Sequence, residues 1–162
     1  MTPLPIVQHP DERLRRKATD LPLQRLADHE FQKFLDRMIE TMFAAEGVGL
    51  AANQVGEHWN LAVVSTKDGP LVLINPKIIR RSLRKETSEE GCLSVPGVWG
   101  EVSRSILVKV TAYDRQEHKI DINAEGLFAR IIQHEIDHLN GILIIDKAKN
   151  VREAGREKNN DL

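Results

Sequence analysis

The sequence predicts an α+β fold in which antiparallel sheets pack around a long helix suited to metal binding. Three observations point there. Residues 28 to 44 place Phe31, Phe34, Leu35, Met38, Ile39, Met42 and Phe43 at three- and four-residue steps, the period of a helix with one apolar face. Leu107 to Tyr113 alternates apolar and polar residues, as a half-buried strand does, and the polar turn Asp114 to His118 returns it to a strand around Lys119 to Ile122. From about Asn123 or Ala124 to about Asn140 a second helix carries two imidazoles and a carboxylate within rows that are otherwise apolar.

Taken in order, Asp28 is placed to cap the first helix and Gly47 to stop it. A glycine-punctuated segment follows, Gly47-Val48-Gly49-Leu50-Ala51-Ala52-Asn53-Gln54, and then the apolar runs Leu61 to Val64 and Leu71 to Ile74, the second ending at Asn75-Pro76. These read as neighbouring strands. Gly141 is the expected stop of the second helix. No repeat, low-complexity linker or shift in composition divides the chain, so residues 1 to 147 are expected to form a single domain. Residues 148 to 162, mostly charged and amidated, are expected to be a polar C-terminal tail or helix.

A chain of 162 residues buries about two thirds of the surface its unfolded form exposes, so it needs no disulfide staples. Its 23 basic and 24 acidic residues nearly cancel, which removes any overall attraction to DNA or an anionic membrane. The lone cysteine, Cys92, excludes an internal disulfide and fits a reducing compartment. No apolar run reaches membrane-spanning length and the N-terminus lacks a signal-peptide core, so a cytoplasmic protein is expected. A matured organellar form is compatible with the same features.

On the second helix Leu127, Ile131, His134 and His138 form one stripe, and Phe128, Ile132, Glu135 and Leu139 the adjoining one; Arg130, Gln133, Asp137 and Asn140 make the opposite, polar edge. His134-Glu135-Ile136-Asp137-His138 has the His-Glu-x-x-His form. Its imidazoles lie one turn apart and can converge on one metal ion, while the glutamate sits beside that ion as a proton acceptor. A catalytic site of this type takes three protein ligands and keeps one position for water. A metzincin protease would have its third histidine where Ile144 stands. A thermolysin-like protease would need a downstream glutamate, and Glu153 and Glu157 lie in the polar tail. That leaves Cys92, although a lone cysteine is more often a small buried hydrophobe.

The surroundings of Cys92 are specific. The segments Gly47-Val48-Gly49-Leu50-Ala51-Ala52-Asn53-Gln54, Glu90-Gly91-Cys92-Leu93-Ser94 and Gln133-His134-Glu135-Ile136-Asp137-His138 resemble the three signature motifs of the peptide deformylase family, in its order and with similar separations. The similarity runs from Asp11-Glu12-Arg13-Leu14 to the stretch Leu143 to Lys147. The resemblance implies metal-dependent removal of the N-formyl group from the formyl-methionine that begins a nascent polypeptide. It implies Cys92, His134 and His138 as ligands of one divalent ion, iron(II) by family, with zinc, nickel or cobalt compatible with the donor set. It gives Glu135 the role of general base and acid, and makes the Gln54 amide and the Leu93 N–H the donors to the developing oxyanion. Val48, Gly49, Leu127 and Ile131 would receive the substrate, Gly49 on a strand edge that pairs with the peptide and the apolar three around the methionine side chain.

As partners the resemblance implies formylmethionyl nascent peptides and a transient ribosome contact. Glu46 is the expected outer support of the metal loop. The chain departs from common family residues at Val48, Asn53 and Arg130, the last on the expected outer wall of the pocket. Two readings compete: a metallopeptidase built on the same helix, and a metal-binding member that has lost activity.

Overall fold

The computed structural model describes residues 2–153. Helix α1 (His29–Ala44) begins where the Asp28 carboxylate accepts the Glu30 N–H at 2.9 Å, and it buries Phe31, Leu35, Met38 and Met42 along one face. It ends at Ala44 as expected, but the stop falls one residue before Gly47. Glu46, at φ 56°, takes the left-handed position, and the Gly47 N–H closes the turn on the Met42 carbonyl.

Strands β1 (Gly49–Ala51), β2 (Leu61–Thr66) and β3 (Gly69–Arg81) follow. With β6 (Leu107–Tyr113) and β7 (Lys119–Glu125) they form a five-stranded antiparallel sheet in the order β1-β2-β3-β6-β7. The continuous apolar run in β2 has a simple cause. Leu61 and Val63 pack with the α1 residues on one face, Ala62 and Val64 under the second helix on the other, so both faces of this strand are buried. In β3, Val72 and Ile74 join the α1 core and Leu73 the opposite one.

Between these elements, β4 (Lys85–Cys92) and β5 (Val95–Ser105) form a long hairpin, and β8 (Lys149–Glu153) pairs with the outer side of β5 to complete a three-stranded sheet. The charged end of the chain is therefore partly a strand: β8 is exposed at all five positions and is held by backbone pairing. The remainder of the expected tail, 154–162, lies outside the described residues.

The second helix, α2 (Gly126–Leu139), starts later than its periodicity suggests, because Asn123, Ala124 and Glu125 are still paired with β6. It lies between the two sheets. That position buries most of its circumference, including Arg130 and Gln133, which the sequence placed on a polar edge. Gly141 stops it at φ 74°, where an added Cβ would stand 2.3 Å from the Arg15 carbonyl oxygen. A short helix, α3 (Ile144–Lys147), connects to β8. No helix among the described residues is long and apolar enough to cross a membrane.

Candidate metal centre

His134 and His138 project from the same face of α2, and their Nε2 atoms lie 3.2 Å apart. Cys92 ends β4 as the hairpin turns, and its Sγ lies 3.1 Å from His138 Nε2. The three donor atoms all fall within 4.8 Å of one another. A tetrahedral ion with the usual nitrogen and sulfur bond lengths needs donors roughly 3.3 to 3.6 Å apart, so the cluster is close to the size that such an ion requires. A thiolate with two imidazoles suits a divalent transition metal rather than magnesium or calcium. Cys92, alone in the sequence, thus stands with the two histidines while also packing against the small apolar cluster of Val7, Leu14, Val95 and Leu143.

His134 Nδ1 donates to Glu90 Oε2 at 3.0 Å, which turns its Nε2 toward His138. The Glu90 carboxylate also accepts Arg104 Nε and Nη2 at 2.9 and 2.8 Å and Arg130 Nη1 at 2.7 Å. Burial alone would raise the Glu90 pKa, but the hydrogen bonds from Arg104 and His134 outweigh it and hold the group ionised well below the usual carboxylate range. As free imidazoles the two histidines diverge. Burial opposes charge on His134, yet its contacts with Cys92 and Glu90 push it up to about 10, whereas burial and the neighbouring His134 hold His138 well below its ordinary value.

Glu135 points away from the imidazole stripe toward β1. It is buried, its Oε2 has no hydrogen-bond partner, and desolvation pushes its pKa up to about 7. A carboxylate held near neutrality is suited to take and return a proton. Gly49 makes room for it, since a Cβ there would stand 2.2 Å from Glu135 Oε1. The 3-10 turn Ala52–Val55 places Gln54 opposite. Its Oε1 accepts the Ala51 N–H at 2.9 Å, its Nε2 donates to Ser94 Oγ at 3.0 Å, and the same nitrogen is 3.8 Å from Cys92 Sγ. Leu93 occupies the turn between Cys92 and Val95. Asn53, beside Gln54, donates through Nδ2 to the His138 carbonyl at 2.6 Å and so ties the turn after β1 to the end of α2.

An open cleft of about 610 Å³ runs along this centre, lined among others by Val48, Gly49, Gln54, Cys92, Leu93, Leu127, Ile131, His134 and Glu135. Val48 and Leu127 are 53% and 71% exposed, so two apolar side chains face open solvent at the cleft. Nine of the ten sequence-predicted site residues line one cavity, and the tenth, His138, lies behind it against Cys92.

The sequence profile described as polypeptide deformylase matches residues 3–154. The chain belongs to the polypeptide deformylase family. A peptide deformylase from Xylella fastidiosa (strain M12) is 46% identical over 149 residues, which span 90% of this chain and 87% of that one. The crystal structure of a peptide deformylase from Synechococcus elongatus in complex with actinonin has a TM-score of 0.86 at 43% identity and covers 93% of this chain and 81% of that one. A Met-Ala-Ser-bound class I type b peptide deformylase from Acinetobacter baumannii has a TM-score of 0.86 at 33% identity, over 90% of this chain and 98% of that one. As a deformylase the chain is a metal-dependent hydrolase acting on formylated nascent polypeptides, and the metallopeptidase reading is not favoured.

Within the deformylase frame two sequence expectations change. The group bonded to a metal-centre histidine is Glu90; Glu46 is exposed at the cleft. The general signal for Glu90 was its place in the Cys92 motif, but its partners come from β5 and α2, 14 and 40 residues away. Arg130 lines the cleft as expected, but its guanidinium is turned inward to Glu90.

Proposed function

We propose that this chain hydrolyses the formyl group of formyl-methionyl peptides in the cleft between β1, the β4–β5 hairpin and α2, with residues 1 to 147 as the catalytic unit. The observation that carries this reading is the convergence of Cys92, His134 and His138 beside a buried glutamate with an unpartnered oxygen. Cys92, His134 and His138 would hold the ion, iron(II) by family. When bound there, a divalent ion supplies Lewis acidity to the formyl carbonyl and makes water a nucleophile near neutral pH.

Glu135 takes the proton of the attacking water as the new C–O bond forms. It returns that proton to the departing amine as the C–N bond breaks, so formate and a free methionyl peptide leave. The Gln54 Nε2 and the Leu93 N–H donate to the carbonyl oxygen as it becomes negative. Ser94 and the Ala51 N–H hold the Gln54 amide, so its orientation is set before substrate arrives. Strand β1 pairs with β2 alone among the described strands, and its other edge receives the extended peptide by main-chain pairing. Val48, Leu127 and Ile131 surround an unbranched side chain. The Met-Ala-Ser bound by the Acinetobacter baumannii relative is the peptide that a formyl-Met-Ala-Ser substrate would leave. Action in the cytoplasm and a transient ribosome contact belong to the same reading, and both follow from a substrate that is still emerging from synthesis.

Formate release from formyl-Met-Ala-Ser tests the proposal. It should exceed acetate release from acetyl-Met-Ala-Ser in kcat/KM by a wide margin, and formyl-Ala-Ala-Ser should be roughly 10- to 200-fold worse than the methionyl peptide. Comparable rates on formyl and acetyl peptides, or cleavage of internal peptide bonds, would overturn it. The metal is tested separately. Iron(II)-loaded protein should lose activity in air while nickel(II)-loaded protein keeps it, because thiolate-bound iron(II) offers oxygen a redox target; equal decay of both would argue against iron(II).

A further inference from the structure

Resting on the reading of Cys92, His134 and His138 as metal ligands, we propose that Arg130 is a positioning residue of the metal centre. It clamps the strand that ends in Cys92 onto the helix that carries both histidines, and it holds Glu90 in the orientation that fixes His134.

Arg130 lies one helical turn before His134, with its side chain 10% exposed. Nη1 donates to Glu90 Oε1 at 2.7 Å and to the Val102 carbonyl at 2.8 Å, and Nη2 donates to the Glu86 carbonyl at 2.8 Å. One guanidinium from α2 therefore reaches both strands of the β4–β5 hairpin. Glu86 and Glu90 stand on the strand that terminates at Cys92. The planar fork of arginine can serve three acceptors at once, whereas the single ammonium of a lysine cannot reproduce that geometry.

The Glu90 carboxylate has four donors on two oxygens. Oε1 takes Arg130 Nη1 and Arg104 Nε; Oε2 takes Arg104 Nη2 and His134 Nδ1. Without Arg130, Oε1 keeps a single donor and the carboxylate gains freedom to turn away from His134. The buried Val102 carbonyl and the part-buried Glu86 carbonyl lose the same partner. Arg104 remains anchored independently, because it also pairs with Asp137, which Lys147 Nζ contacts at 2.6 Å. The loss is thus directed at the spacing between Cys92 and the histidines rather than at the whole hairpin. A different role, as the outer wall of the methionine pocket, would show in KM and leave the metal untouched.

The test uses the full chain loaded with cobalt(II), whose thiolate absorption band reports Cys92 ligation, and follows the rate at which a chelator strips the metal. Zinc(II) affinity is measured in parallel by competition. R130Q should fold, shift the cobalt spectrum, and lose metal 10- to 100-fold faster, the usual effect of removing a partner that orients a ligand. R130K should fall between R130Q and the unsubstituted chain. A folded R130Q with the original spectrum and dissociation rate would overturn the proposal, whatever its KM. If R130Q does not fold, R130K decides, and an unchanged dissociation rate there overturns it too. An unsubstituted chain that takes up no cobalt with a thiolate band would instead sink the ligand assignment on which the proposal rests.

Discussion

Each proposed ligand, Cys92, His134 and His138, is a single side chain, and among the described residues these three form the one cluster of its kind that could hold an ion. Cys92→Ser, His134→Ala and His138→Ala should therefore each abolish stoichiometric metal, as read by elemental analysis; full occupancy in Cys92→Ser would remove the thiolate from the site. Glu135 behaves oppositely to Glu90 because its desolvation is not offset by a hydrogen bond from an arginine. Its pKa is raised from the ordinary 4.5 to about 7 in the fold, so its contribution to stability is fully present below about pH 4.5 and is lost as the pH rises through 7. In metal-stripped protein, Glu135→Gln should gain on the unsubstituted chain as the pH goes from 5 to 8, by up to about 3 kcal/mol in urea unfolding. Parallel stability curves would show that Glu135 is not desolvated as described. The two histidines and Glu135 were legible in the sequence because their spacing on a helix is itself the signal, whereas Cys92, at the end of β4, was reached only through the motif around it. The part played by Glu90 was not legible, since it depends on arginines brought in from two other elements.

Among the elements, β3 continues past its expected end at Asn75-Pro76 to Arg81, whereas both helices and strands β2, β6 and β7 carried an apolar signal in the sequence and formed within a few residues of the expected bounds. The β4–β5 hairpin and β8 did not. Lys85 to Glu89 and β8 are exposed and mostly polar or charged, so no alternation of apolar residues announces them; backbone pairing makes them strands, helped on β8 by Arg152 with Glu89 and Asn150 with Glu101. The packing of β1 against α2 was equally hidden, and it gives a sharp prediction. In Gly49→Ala the new Cβ would collide with the Glu135 carboxylate, which must move. Displacement by about an ångström commonly costs on the order of 100-fold in rate, so formate release should fall by about that factor while metal content stays stoichiometric. Unchanged activity in Gly49→Ala would show that Glu135 need not occupy this position.

At the scale of the whole molecule, the fold brings three sequence segments to one cleft. The five-stranded sheet supplies Gly49 and the turn bearing Gln54, the smaller sheet supplies Cys92, and the helix between them supplies the histidines and Glu135. An α+β fold built around that helix could be expected from the sequence, but not the division of the strands into two sheets, because the hairpin that makes the second sheet lacks an apolar signature. The central claim is that Glu135, beside an ion held by Cys92, His134 and His138, carries the protons of deformylation. The most direct measurement is formate release from formyl-Met-Ala-Ser by the unsubstituted chain and by Glu135→Gln, each prepared anaerobically and analysed for metal. Both should carry one equivalent of metal, with kcat lower by about 10²- to 10⁴-fold in Glu135→Gln; a fully loaded Glu135→Gln protein that releases formate at the unsubstituted rate would show that Glu135 does not carry these protons.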